Sequence, residues 1–308
     1  MSKIAFIYPG QGAQTPGMGK EIIESFSEAR EIFEIANDQL EFNLYDLCFT
    51  DDARLNETAY TQVALLAVSA AITEVIASYG IKPDYTAGLS LGEYSALLAS
   101  GVMNYRDALM VVSQRGQLMT KAGQETEGAM AAILGSDREA IQAIIDQVQG
   151  YVAFANFNSP KQIVLSGEKE ALEACYPLFK EAKIKAVALK VSGAFHSQLM
   201  ESAAKGLEKV LEPIHLNEAK VPYLTNVTGD VVTGSDLSKG LLVEQLTSPV
   251  LWEQNVRKMI ELGVDTFVEI GPGKTLAGLI KKIDRSKKVI SVSCPASLKQ
   301  LREYLEVV

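Results

Sequence analysis

The run Gly88-Leu89-Ser90-Leu91-Gly92 constrains this chain more than any other stretch. Tyr85-Thr86-Ala87 before it reads as the end of a short buried strand, and Leu91 to Ser100 after it reads as a helix. A GxSxG between strand and helix fits a nucleophile elbow, a sharp turn that pushes the serine out of the backbone while the glycines leave room around it. Ser90 is therefore the first candidate for a covalent nucleophile. The backbone N–H of Leu91 would point at the place where an oxyanion forms. The pentapeptide alone turns up by chance in about one chain of this length in ten. Its bland reading is a tight turn with a structural serine, so other features must carry the rest.

Around the elbow, strand-like apolar runs alternate with helical patterns, which points to α/β architecture with a mainly parallel sheet. Strand Ile4 to Tyr8 leads into the glycine-rich loop Gly10-Gln11-Gly12-Ala13-Gln14, and helices are expected at about 20–40, 60–79 and 105–121. The stretch from about Gly128 to Lys190 has a different order. It reads strand (129–134), helix (138–148), strand (152–157), strand (162–166), helix (169–182), strand (185–191), a ferredoxin-like βαββαβ unit. The expected organisation is a large discontinuous α/β domain, 1–125 and 193–308, with residues 126–192 inserted as a small domain. Beyond the insertion a helix is expected at 198–211, a strand at 221–226, a helix at 250–262, a strand at 266–270, and a helix beginning near Lys274.

Charge and cysteine usage narrow the function classes. A net charge of −9 argues against a general nucleic-acid surface. The longest apolar stretch, Val63 to Ile76, is broken by Ser69, Thr73 and Glu74, too interrupted for a membrane span. No signal-peptide pattern opens the chain, so a cytoplasmic protein is expected and the sequons at Asn56 and Asn226 read as accidental. Cys48, Cys175 and Cys294 are widely separated and read as reduced packing residues. With two histidines and no cysteine pair, neither a metal site nor a cofactor is expected.

Two further residues stand out. His196 lies in Ser192-Gly193-Ala194-Phe195-His196-Ser197, where a strand has ended and a helix starts, and strand ends in open α/β sheets are where sites form. A histidine near a helix N-terminus tends to stay neutral, as a general base must. His215 reads as a loop residue. Arg115 sits within an apolar helical stripe that includes Val111, Val112, Leu118 and Met119. Its charge cannot be lost and needs an acidic partner. A structural ion pair and a clamp for a substrate carboxylate are level readings at this point. The glycine loops fail as phosphate loops: Thr15 and Val268 stand where the two fingerprints need glycine. The cluster Lys274, Lys281, Lys282, Arg285, Lys287 and Lys288 is either a solvated face or a dock for an acidic partner.

Taken together, these residues resemble the malonyl-CoA:acyl carrier protein transacylases of type II fatty acid synthesis and the acyltransferase domains of polyketide synthases. The resemblance spans essentially the whole chain. It rests on Tyr8-Pro9-Gly10-Gln11-Gly12-Ala13-Gln14, Thr61-Gln62, Gly88-Leu89-Ser90-Leu91-Gly92-Glu93, Gln114-Arg115-Gly116, Asn156-Phe157-Asn158-Ser159-Pro160, Gly193-Ala194-Phe195-His196-Ser197, Val243-Glu244-Gln245-Leu246 and Glu269-Ile270-Gly271-Pro272-Gly273-Lys274-Thr275. It implies a hydrolase-like α/β large domain with a ferredoxin-like insertion. It also implies Ser90 as the acylated nucleophile, His196 as base and then acid, and Arg115 as the grip on a malonyl carboxylate. The N–H groups of Gln11 and Leu91 become the oxyanion hole, and Gln245 orients His196 through its main-chain carbonyl. Phe195 resembles the malonyl-selective form of its motif. Leu89, Ala13 and Ala194 depart from the commonest pattern, none at a core catalytic position.

The implied reaction is ping-pong transfer from malonyl-CoA to the phosphopantetheine thiol of holo acyl carrier protein, which would dock near Lys274, Lys281, Lys282 and Arg285. A monomer is expected, with no nucleic-acid or membrane partner. The rival enzyme is a serine thioesterase or esterase of α/β-hydrolase type, in which the histidine usually comes late in the chain. A non-catalytic carrier-docking module is the third reading.

Overall fold

The computed structural model describes residues 3–135, 137–232 and 234–307. The chain opens with β1 (Lys3–Tyr8), α1 (Lys20–Ser25), α2 (Ser27–Gln39), α3 (Leu44–Phe49), α4 (Thr58–Ser78), β2 (Tyr85–Gly88), α5 (Gly92–Ala99) and α6 (Tyr105–Thr126). There follow β3 (Gly128–Leu134), α7 (Arg138–Ile145), β4 (Val152–Ser159), β5 (Gln162–Glu168), α8 (Lys169–Glu181) and β6 (Lys185–Ala188). The last part is α9 (Glu201–Leu211), β7 (Tyr223–Leu224), β8 (Val231–Val232), α10 (Ser235–Glu244), α11 (Trp252–Glu261), β9 (Val264–Ile270), α12 (Thr275–Ile283), β10 (Lys288–Val292) and α13 (Pro295–Tyr304).

These strands form two sheets. The larger runs β10-β9-β1-β2-β7-β8, parallel except for the last pair. Its central strand β1 is apolar on both faces: Phe6 and Tyr8 enter one core, Ala5 and Ile7 the other. That is the pattern of a parallel strand covered by helices on both sides. The helix α4 is long and apolar enough to cross a membrane, but 78% of its apolar window is buried inside the protein, where it serves as a core helix.

The second sheet runs β4-β5-β3-β6 and is antiparallel, the ferredoxin-like order expected of the βαββαβ segment. Alternation along β3 and β5 divides its two faces. Ala131, Ile133, Ile163 and Leu165 pack under α7 and α8, whereas Met130, Ala132 and Val164 face the main core. The β4 edge is stitched to the large sheet's side of the molecule, with Phe157 N–H donating to Val250 O at 2.9 Å and Val250 N–H to Ala155 O at 2.8 Å. The segment leaves and re-enters at one point: a Cβ on Gly123 would lie 2.2 Å from the Ser192 carbonyl oxygen.

Several expectations need correction. The helix expected at 20–40 breaks at Phe26, whose backbone is extended at φ −125° and ψ 129°. The strand expected at 221–226 is only Tyr223–Leu224, because Thr225 N–H donates to Asp230 O and the chain turns. The helix expected from Gln198 starts as a 3₁₀ turn over Gln198–Met200 before α9. Strands β8 and β10 and helices α3, α10 and α13 fall where the sequence reading has no element.

The site lies where strand order reverses. From β1 the sheet grows to β2 on one side and to β9 on the other, which opens a crevice beyond the strands' carboxyl ends. Tyr8 pairs with Gly88, so the loop after β1 and the elbow after β2 emerge level.

Candidate active site

The elbow is built from two close approaches. A Cβ on Gly88 would lie 1.9 Å from Gly92 C, and a Cβ on Gly92 would lie 2.1 Å from Tyr8 O. Only glycine fits at either position. Between them Ser90 holds φ 54°, the left-handed region, which costs a non-glycine residue on the order of 1–2 kcal/mol. A residue so strained at the head of a crevice is a mark of a functional turn.

Ser90 Oγ lies 2.8 Å from His196 Nε2. The other ring nitrogen, Nδ1, lies 2.8 Å from the Gln245 main-chain oxygen. A carbonyl can only accept, so Nδ1 carries the proton and Nε2 is left to accept from the serine hydroxyl. Burial pushes the imidazole down from its ordinary 6.5 to about 4, the Gln245 carbonyl opposes this, and the Arg115 charge adds to it. The expected neutrality is present, but burial (4% exposed) keeps it, with no need of a helix end.

Arg115, on α6, is fully buried. The acidic partner expected for it is replaced by two carboxamides. Nη1 donates to Gln62 Oε1 at 2.7 Å, and Nη2 donates to Gln245 Oε1 at 2.9 Å and reaches Ser90 Oγ at 3.4 Å. Nε has no partner, and burial lowers the guanidinium's pKa. A buried guanidinium beside the nucleophile, hydrogen-bonded only to neutral groups and with the Glu93 carboxyl acting on it without a direct ion pair, has the chemistry to take an anion.

Gln245 and Glu93 lie behind these groups. Gln245 Nε2 donates to Ser90 O at 3.1 Å and to Glu93 Oε2 at 2.7 Å. Glu93 also accepts from Asn226 N–H at 3.0 Å, and burial pushes its carboxyl up to about 7. Gln11, in the loop after β1, is anchored by Nε2 donating to Thr58 Oγ1 at 3.0 Å. Among the described residues, no backbone–backbone hydrogen bond outside the helices and strands uses the N–H of Gln11 or of Leu91.

These groups open into a cavity of about 180 Å³. Gln11, Ser90, Leu91, Arg115, Phe195 and His196 line it from the large sheet's side, and Met130 and Val164 form the facing wall. Thr275 and Leu279 of α12 also line it, so the basic helix flanks the site. Lys282 Nζ spans to Gln162 Oε1 at 3.0 Å, and Gln162 is itself a lining residue. His215 is exposed and away from this cavity. Among the described residues no cluster of three or more His, Cys, Asp or Glu could hold a metal.

Sequence reasoning missed three participants. Gln62 and Glu93 sat inside quoted motifs without a role. Asn226 was set aside as an accidental sequon, yet it is fully buried against the elbow.

Known proteins resemble this chain over nearly its whole length. The acyl transferase domain family matches residues 5–299. A malonyl CoA-acyl carrier protein transacylase of Bacillus subtilis (strain 168) is 48% identical over 303 residues, covering 97% of this chain and 96% of that protein. A namesake from Staphylococcus aureus (strain COL) is 39% identical, covering 98% and 99%. Among solved structures, the malonyl CoA-acyl carrier protein transacylase of Clostridium perfringens superposes with a TM-score of 0.95 at 40% identity, covering 99% of this chain and 98% of that one. A malonyl-transacylase in complex with its type II PKS acyl-carrier protein gives 0.95 at 39% identity, covering 98% and 100%.

Proposed function

Because this chain belongs to the malonyl CoA-acyl carrier protein transacylases, within the acyl transferase domain family, we propose that it moves a malonyl group from malonyl-CoA to the phosphopantetheine thiol of an acyl carrier protein through an ester on Ser90. One observation carries the residue roles: a neutral imidazole at 2.8 Å and a buried guanidinium at 3.4 Å converge on the same serine oxygen.

In the first half-reaction His196 Nε2 takes the Ser90 proton as Oγ attacks the thioester carbonyl. The N–H groups of Gln11 and Leu91 receive the developing oxyanion. The carbon–sulfur bond then breaks, and His196 returns its proton to the CoA thiolate. The second half-reaction runs in reverse: the carrier thiol gives its proton to His196, its sulfur attacks the ester, and Ser90 recovers the proton. Gln245 fills the third place of the triad with a carbonyl, which fixes the tautomer without adding a charge. Arg115 holds the malonyl carboxylate. A charge-assisted bond contributes about 1.5–3 kcal/mol, enough to prefer malonyl over an uncharged acyl group by about 10-fold or more. Phe195 bounds the acyl end of the cavity.

We read residues 126–192 as the small domain and 1–125 with 193–308 as the large one. The protein acts as a monomer, in the cytoplasm, a reducing compartment with which its three free cysteines are in keeping. The carrier docks near Lys274, Lys281, Lys282 and Arg285.

Intact-protein mass after mixing with malonyl-CoA tests this reading. The expected result is a malonyl adduct on the wild type, absent from Ser90→Ala and discharged by holo carrier protein. Consumption of malonyl-CoA with no adduct would instead make the protein a hydrolase.

A further inference from the structure

Asn226 lies in the turn that cuts β7 short, and all of its polar groups are engaged. Its side-chain Oδ1 accepts from Ser90 N–H at 2.6 Å, and its Nδ2 donates to Gly88 O at 2.7 Å. Its own backbone N–H donates to Glu93 Oε2 at 3.0 Å, and its backbone oxygen accepts from Leu251 N–H at 2.8 Å. The residue is fully buried. Its carboxamide therefore bridges Gly88, two residues before the apex of the elbow, and Ser90 at the apex, and its backbone is pinned at both ends.

The two elbow groups it meets have opposite sense, one a carbonyl and one an amide. A carboxamide supplies the matching donor and acceptor on two separate atoms in one plane; a carboxylate cannot donate, and a hydroxyl would have to reach both groups from a single atom. The grip also turns Ser90 N–H away from the cavity, which leaves Leu91 N–H as the elbow's donor toward an oxyanion.

We propose that Asn226 is a positioning residue: it clips the elbow across Gly88 and Ser90 and so holds the Ser90 hydroxyl on line with His196 Nε2. The proposal rests on the assignment of Ser90 as the acylated nucleophile. Asn226 touches no substrate and is absent from the cavity lining. Its loss should act on the reaction at Ser90 and spare the binding of malonyl-CoA.

Two reagents separate this from the transfer reading. An alkyl fluorophosphonate reports the readiness of Ser90 directly, by forming an oxygen–phosphorus bond and releasing fluoride, with no malonyl recognition involved. Malonyl-CoA reports the full first half-reaction. In Asn226→Ala, both the labelling rate and the acylation kcat are expected to fall about 100-fold, with KM for malonyl-CoA within about threefold of wild type, because a displacement near 1 Å at a reacting group costs about that much. Asn226→Asp keeps the size and the acceptor but turns an oxygen toward Gly88 O. It should show the same split, with a fall of at least about tenfold, and it stands in if the alanine variant does not fold. Wild-type labelling and kcat in either folded variant would overturn the role of Asn226 and leave malonyl transfer untouched. A rise in KM alone would also overturn it. A wild type that labels with fluorophosphonate but gains no malonyl group would sink the transfer reading while leaving the clip still measurable by labelling.

Discussion

In the proposed mechanism His196 serves as a base because it is dry. Burial lowers its pKa to about 4, and the Arg115 charge beside it works in the same direction, so the imidazole stays neutral where an exposed histidine would be half protonated. Its folded pKa lies below the unfolded value of 6.5. The stability linked to it is therefore complete above pH 6.5 and is lost as pH falls through about 4. Catalysis should follow the same window. The rate of Ser90 acylation is expected to stay level as pH falls through 6.5 and to drop only toward about 4. A pH profile in stopped-flow acylation checks this, and an acid limb centred near 6.5 would mean that His196 is solvated. Glu93 runs the other way. Burial raises its folded pKa to about 7, so the stability linked to it is complete below 4.5 and is lost as pH rises through about 7. Arg115 completes the set. Its neutral partners, Gln62 and Gln245, hold the guanidinium in place, and in the proposed mechanism its charge serves the malonyl carboxylate.

At the scale of elements, the elbow depends on how closely β1, β2 and α5 approach. Gly92→Ala would drive a Cβ into the Tyr8 carbonyl of the central strand. Overpacking of that kind costs about 3 kcal/mol or more, and a fall in Tm of about 6 °C or more is expected by calorimetry. Gly278→Ala is the control. It lies inside α12 with nothing within 4 Å of the added carbon, and it should gain up to about 1 kcal/mol. A Tm for Gly92→Ala equal to that of Gly278→Ala would show that the elbow tolerates a side chain. The elbow was legible in the sequence because strand, glycines and helix are consecutive. The βαββαβ segment was legible for the same reason, since its periodicity changes within short runs. Other features were hidden because their causes lie far along the chain. Nothing local marks Phe26 as extended, and β7 ends where the turn must deliver Asn226 to an elbow 136 residues earlier. β10 is hidden in the sequence because its short apolar run, Val289-Ile290-Ser291-Val292, directly follows the basic Lys287 and Lys288. The acid partner expected for Arg115 failed on a general rule with a local exception: two carboxamides, brought from α4 and from beyond α10, satisfy a buried cation that has an anion to receive.

Across the whole molecule, the cavity lies between two sheets and beside a basic helix. Lys274, Lys281, Lys282 and Arg285 are exposed on a chain of net charge −9, and α12, which bears Lys281 and Lys282 and is flanked by the other two, also lends Thr275 and Leu279 to the cavity. Reversing charge at Lys281 and Lys282 is expected to raise KM for the carrier about three- to tenfold, since each exposed pair contributes about 0.2–1 kcal/mol. Acylation by malonyl-CoA should be unchanged. Steady-state kinetics of the two half-reactions measured apart decides the matter, and equal losses in both would remove α12 from the docking surface.

The shared exit and return point at Gly123 and Ser192 has a consequence for how such an enzyme can change. Ser90, Arg115, His196 and Gln245 all lie outside the segment between those residues, while Met130 and Val164, which face them across the cavity, lie inside it. One continuous stretch of the chain therefore carries a wall of the proposed acyl chamber and none of the groups proposed to make or break bonds. Recombination at its two neighbouring ends could exchange that wall as a cassette and remodel the room for the acyl group, while the machinery that handles the proton and the ester is inherited intact.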